Sequence, residues 1–99
     1  MIHHNVLMKL NDKANDEIIA IMQKYITQIR DQVDEVCSYR LVANIAAGNK
    51  GYNWTILSSF NSTVDIDRYK ATPLHQEFVK FCSPYEEDVV SLDYISEAN

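Results

Sequence analysis

The chain has 99 residues, 46% of them hydrophobic and 23% charged, and a formal net charge of −5 from 14 acidic against 9 basic groups. That length suits one domain, residues 1–99, with a core that hides roughly 65% of the unfolded chain's surface. The few Gly and Pro exclude a disordered or fibrous chain. Lysines and arginines stand singly, so no basic stripe exists for nucleic acid, and the apolar runs are too short to cross a membrane. The N-terminal residues pass straight into an alternating pattern, without the charged and apolar regions of an export signal, and a cytoplasmic location is the expectation. Cys37 and Cys82 have neither CxxC nor metal-type spacing and sit in apolar-rich segments, so both are expected to be buried free thiols.

Residues 2–10 alternate, with Ile2, His4, Val6, Met8 and Leu10 on one side, which predicts a strand. Asn11 and Asp12 break it. Asn15 can then cap a helix over about 15–33, in which Ile18, Met22, Tyr25, Ile29 and Val33 recur at helical spacing. A second strand over 36–43 carries Cys37, Tyr39, Leu41 and Ala43 on one face. After a Gly-containing loop, a third strand places Tyr52, Trp54, Ile56 and Phe60 together. Ser62 can cap a short helix that ends near Ala71, because Pro73 disfavours the helical conformation at Thr72. Thr72 and Pro73 open another helix with Leu74, Phe78, Phe81 and Cys82 on one side, and Pro84 ends it. A last strand, about 88–95, sets Val90, Leu92 and Tyr94 against Val89, Ser91, Asp93 and Ile95.

The order β-α-β-β-α(α)-β gives an α+β, ferredoxin-like fold: a four-stranded antiparallel sheet with helices on one face. The less apolar face of the strands still carries Leu7, Val42, Leu57, Val89 and Ile95 among polar neighbours. Left open, it would expose a sizeable apolar patch, and a second sheet could cover it.

Three segments carry a family likeness. Ile2-His3-His4-Asn5-Val6-Leu7-Met8-Lys9-Leu10 resembles the first strand of the stress-responsive A/B-barrel (Dabb) family. Tyr69-Lys70-Ala71-Thr72-Pro73-Leu74-His75 matches its Tyr-x-x-x-Pro-x-His signature. The stretch from Pro84 through Glu86-Glu87-Asp88 to Tyr94 resembles its closing Pro, acidic step and strand. The resemblance implies a homodimer whose two sheets pack into a barrel with the helices outside. It also implies candidate chemistry, because olivetolic acid cyclase of this family closes a polyketide ring with a Tyr and a His of that signature. The matching residues are Tyr69 and His75, and the first-strand His matches His4. A further pocket histidine of that cyclase has no counterpart, since Trp54 stands at its position.

His75 falls at the third helical position if Thr72 caps, where the positive helix end favours neutral imidazole. A neutral His beside a phenol can remove a proton next to a carbonyl while the phenol donates to the developing oxyanion. The same pair can equally serve as a clasp between two short helices. His4 points toward the helices and reads as a core histidine or a pocket residue. Tyr52, Trp54 and Phe78 are candidate ligand contacts that double as aromatic core.

His3 and His4 face opposite sides and cannot share one metal ion, and Glu86-Glu87-Asp88 reads as a solvated turn. No metal site and no cofactor are expected, because GxGxxG, P-loop and nucleophile-elbow motifs are absent. The leading expectation is a dimeric barrel that holds a small apolar or aromatic ligand. One alternative is a cofactor-free cyclase or lyase with His75 as base and Tyr69 as acid. Another is a monooxygenase of the antibiotic-biosynthesis or haem-degrading type, whose Asn, Trp and His are superficially similar to Asn5, Trp54 and His75.

Overall fold

The computed structural model describes residues 1–96. Strand β1 (Ile2–Leu10) leads into helix α1 (Asp16–Gln32), then β2 (Val36–Ala43), β3 (Trp54–Phe60), α2 (Thr63–Lys70), α3 (Pro73–Cys82), a 3₁₀ turn (Ser83–Tyr85) and β4 (Glu86–Ile95). The strands form one sheet in the order β2-β3-β1-β4, with every pair antiparallel. This is the ferredoxin-like α+β fold expected from the sequence.

Each helix starts where its capping residue dictates. Asn15 accepts from the Ile18 amide, Ser62 from Asp65 and Thr72 from His75, each worth about 1 kcal/mol. Pro73 takes the first helical position, where no amide hydrogen is needed, and Ala71 closes α2 just before it. Between sheet and helices, Met8, Met22, Ile26, Ile29, Tyr39 and Phe60 are almost wholly buried. Each large apolar side chain there contributes roughly 1.5–3 kcal/mol. Ile26 was not part of the expected α1 stripe. Tyr25 sits at the margin instead, with its ring stacked 5.3 Å from that of Phe78.

Two irregularities overturn expectations drawn from simple alternation. In β2, Val36 pairs with Phe60 and Ser38 with Ser59, so Cys37 is an extra residue opposite no partner. This β-bulge turns Cys37 outward, and it is exposed, not buried; Cys82 is buried as expected. Tyr52 is the second case: β3 begins only at Trp54, so alternation does not reach back to it. Its hydroxyl donates to the Asp88 carboxylate and its ring lies 5.7 Å from the Lys9 ammonium. Tyr52 therefore goes with Lys9 and Asp88 instead of facing the helices.

The faces of β4 are also reversed from expectation. Met8 pairs with Val89, Val6 with Ser91 and His4 with Asp93, so these β4 residues lie on the helix side. Val90, Leu92 and Tyr94 join Leu7, Asn5 and His3 on the open side, and they are 45%, 51% and 45% exposed. Alternation alone sends the more apolar set to the core, but here that set faces away from the helices. The open face thus gathers Val42, Leu57, Leu7, Val90, Leu92 and Tyr94. His3 stacks on Tyr94 at 4.7 Å.

The bulge predicts unequal thiols. Cys37 should react with a thiol reagent in the native protein, whereas burial pushes the Cys82 thiol up to about 12 and hides it until unfolding. Mass mapping after native and denatured labelling checks this, and rapid native labelling of Cys82 would contradict it.

Candidate functional site

The site is built around the α2–α3 corner. Tyr69, near the end of α2, is 2% exposed and its hydroxyl lies 2.6 Å from that of Tyr39 on β2. Its backbone carbonyl accepts from both the Thr72 amide and the Thr72 hydroxyl. That Thr72 side chain also caps α3 through the His75 amide. His75 is thereby held against Tyr69, with ring centroids 4.4 Å apart. The two rings pack without hydrogen-bonding each other: Nδ1 of His75 lies 3.2 Å from the Lys70 carbonyl, and the Tyr69 hydroxyl is engaged by Tyr39.

These contacts define the chemistry available. A carbonyl only accepts, so Nδ1 of neutral His75 carries the proton and Nε2 is left as an acceptor. Burial, joined by the Lys70 and His4 charges, lowers the His75 pKa from 6.5, against an opposing contribution from the Lys70 carbonyl. Burial leads this shift, at the third helical position where the sequence places His75. Burial raises Tyr69 to about 12, with the Tyr39 hydrogen bond opposing, and it raises Tyr39 further. Both phenols stay protonated at neutral pH; one hydroxyl donates to the other, which leaves one hydrogen of the pair to donate to a ligand.

A cavity of about 300 Å³ opens beside this corner, between α3 and the sheet, at the lower end of the range of about 300–1,000 Å³ common for small-molecule sites. Val6, Met8, Ile56 and Phe78 give it apolar walls; Tyr39, Tyr69, His75, Cys82 and Glu86 supply polar atoms. Val79 and Val89 complete the lining and are 49% and 41% exposed, so they stand toward solvent.

Of the residues singled out from sequence, Tyr69, His75 and Phe78 share this cavity. His4 is buried beside it, its ring 6.5 Å from that of Tyr69, and it is not part of the wall. Trp54 faces the helices and packs against the core as the cross-strand partner of Met8 but does not line the cavity, and Tyr52 is not in the wall either, its hydroxyl being bonded to Asp88. Asn5 lies on the open face, opposite to Trp54 and His75, so those three do not converge within one chain.

Sequence reasoning missed Asp93, Tyr39 and Glu86. His4 Nδ1 donates to Asp93 Oδ1 at 2.5 Å, and the Ser58 hydroxyl donates to the His4 carbonyl. Asp93 was hidden by the reversed faces of β4. Tyr39 stood on the expected inward face of β2, and the signal available was that a phenol buried there needs a hydrogen-bond partner. Among the described residues, no group of three or more His, Cys, Asp or Glu is placed to hold a metal ion, and no helix is long and apolar enough to cross a membrane.

The model of the stress-responsive A/B-barrel domain matches residues 2–96. The chain belongs to this family. No curated protein matches the sequence significantly. Among solved structures, this A/B-barrel chain is similar to an Arabidopsis thaliana protein at 20% identity and a TM-score of 0.88, covering 100% of this chain and 98% of the other. A hydroxynitrile lyase from Passiflora edulis aligns at 19% identity and a TM-score of 0.85, covering 99% and 94%. A dimeric ferredoxin-like protein from Thermobifida fusca aligns at 20% identity and a TM-score of 0.81, covering 94% and 88%. At such identities the likeness fixes the fold of the A/B-barrel domain, while the site stands on its own geometry.

Two measurements test that geometry. Tyr39→Phe or Tyr69→Phe should each leave a buried hydroxyl unpaired, costing about 1–3 kcal/mol and several degrees of melting temperature. The double variant should lose less than the sum of the singles; strict additivity would remove the coupling. His75 should titrate below 6.5 by NMR. Its contribution to stability is then complete above 6.5 and is lost as pH falls through that value, because the unfolded chain binds the proton first. His75→Gln should flatten that slope.

Proposed function

We propose that this A/B-barrel protein works as a homodimer that binds a small, largely apolar or aromatic molecule in the cavity beside His75. The cavity carries the reading. It combines apolar walls with a few convergent polar groups, the composition of sites that orient small ligands. The dimer is supported by the exposed row of Val90, Leu92 and Tyr94 and its continuation through Leu7, Leu57 and Val42, a patch suited to an equivalent sheet. The dimeric relative from Thermobifida fusca points the same way.

A second reading, a cofactor-free lyase or cyclase, is favoured by the protonation pattern at His75. Its Nε2 acceptor lies beside phenols that remain protonated, so a base and an oxyanion donor share one wall. The lyase from Passiflora edulis has the same fold. In this reading, for an enolisable carbonyl Nε2 takes the proton from the carbon next to the carbonyl, the C–H electron pair forms the enolate double bond, and the Tyr69 hydroxyl donates to the oxygen that gains charge. For a cyanohydrin Nε2 takes the hydroxyl proton, C=O forms as the C–C bond to cyanide breaks, and that proton passes to the departing cyanide.

Assembly is tested by Leu57→Asp and Leu92→Asp, which place a charge in the covered face and should give monomer or aggregate in sedimentation. A wild-type monomer at micromolar concentration would overturn the dimer. Binding is tested by calorimetry with a panel of small aromatic ketones, phenols and alcohols, and Val89→Trp should abolish it by filling the mouth. For the catalytic reading, His75→Ala should keep the fold and lower turnover of an enolisable carbonyl or cyanohydrin by about 10²–10⁴-fold. Unchanged turnover in that variant would exclude His75 as the base.

A further inference from the structure

Glu86 enters the cavity through an irregularity of β4. Lys9 pairs with Asp88 but Leu10 pairs with Glu86, so Glu87 is an extra residue and the strand bulges there. Unbroken alternation from Val89 would turn Glu87 toward the helices. The bulge leaves Glu87 exposed and sends the half-buried Glu86 to the helix side instead, against Cys82. Two adjacent acidic residues thus take opposite environments. Among the described residues, no side chain forms a hydrogen bond or ion pair with the Glu86 carboxylate, which is free to meet whatever occupies the cavity.

The remaining lining sharpens what that occupant can be. No Lys or Arg is among the wall residues. Lys70 influences His75 from an exposed position outside the wall. The acceptors on offer are His75 Nε2 and the Glu86 carboxylate, and the Cys82 thiol stays neutral beside Glu86. A ligand carboxylate would be stripped of water next to a like charge with no cation to offset the loss. A neutral molecule with a hydroxyl can donate to either acceptor and bury its apolar body against Val6, Met8, Ile56 and Phe78.

We infer that Glu86 is a specificity-determining residue that makes the cavity select neutral, hydroxyl-bearing apolar molecules and reject carboxylates of the same size. The inference rests on the cavity being the ligand site, and the probes are chosen to separate the two. 2-Phenylethanol and phenylacetate, matched in size, are titrated by calorimetry at pH 8 into wild type, Glu86→Gln and Glu87→Gln. Wild type should bind the alcohol at least about tenfold more tightly. Glu86→Gln should cut that preference to within about threefold, mainly by gaining phenylacetate, while the exposed Glu87→Gln leaves it unchanged. Binding of both probes without discrimination, or a preference unaltered in Glu86→Gln, overturns the role of Glu86 and leaves the ligand site standing. An equal effect from Glu87→Gln also overturns it, since net charge alone would then explain the preference. Failure of folded wild type to bind either probe overturns the ligand site itself, and this inference with it.

Discussion

The hydrogen bond between the Tyr69 and Tyr39 hydroxyls fixes the part of the molecule on which the site depends. Tyr69 is a helix residue driven into the core, where its ring meets those of Phe60, His4 and His75. A phenol at that depth needs a partner, since an unpaired buried hydroxyl costs as much as a good core contact gains. Tyr39 supplies it from the sheet. With Tyr69 anchored, its carbonyl holds Thr72, Thr72 caps α3, and His75 has little freedom over the cavity. The same contacts that stabilise the corner therefore orient the one imidazole on the cavity wall. A clasp and a poised base need not be separate readings, because Nδ1 is used for the first and Nε2 is left for the second.

Much of this was legible in the sequence because it is written in local chemistry. Asn15, Ser62 and Thr72 cap the helices they were expected to cap, and Pro73 separates α2 from α3 by steric necessity. The Tyr-x-x-x-Pro-x-His spacing brings Tyr69 and His75 together because the corner between them is that short. Trp54 shows how far local pattern reaches. Alternation placed it correctly on the helix side, but no local rule says which part of that side is filled by core and which part opens into a cavity.

The failures have other causes. Cys37 was misplaced because parity along a strand is set by its partner and one extra residue reverses it. Glu86, read as part of a solvated turn, instead begins β4, and Asp93 went to the wrong face because apolarity chose the wrong set in β4. The bulges at Cys37 and Glu87 carry no Gly or Pro to announce them. β4 adds a second ambiguity: both of its faces are partly apolar, so hydrophobicity cannot choose between Val90, Leu92 and Tyr94 and the opposite set. Only the register with β1 decides, and that register depends on contacts far away in sequence.

That ambiguity of β4 has a physical consequence. Edge strands in water are blunted by charge, twist or cover, yet β4 exposes Val90, Leu92 and Tyr94 on one face and Val89 and Ile95 on the other. In the proposed dimer the first set is buried by the partner sheet, while Glu86 and Val89 on the second set wall the cavity and Asp93 holds His4. A single strand then carries the proposed interface on one side and the cavity wall on the other. Covering one face restricts the backbone that positions the opposite face, since successive side chains share the same pleat. Were the cavity to hold a ligand as proposed, assembly and binding would share the β4 backbone without any interface residue touching the ligand.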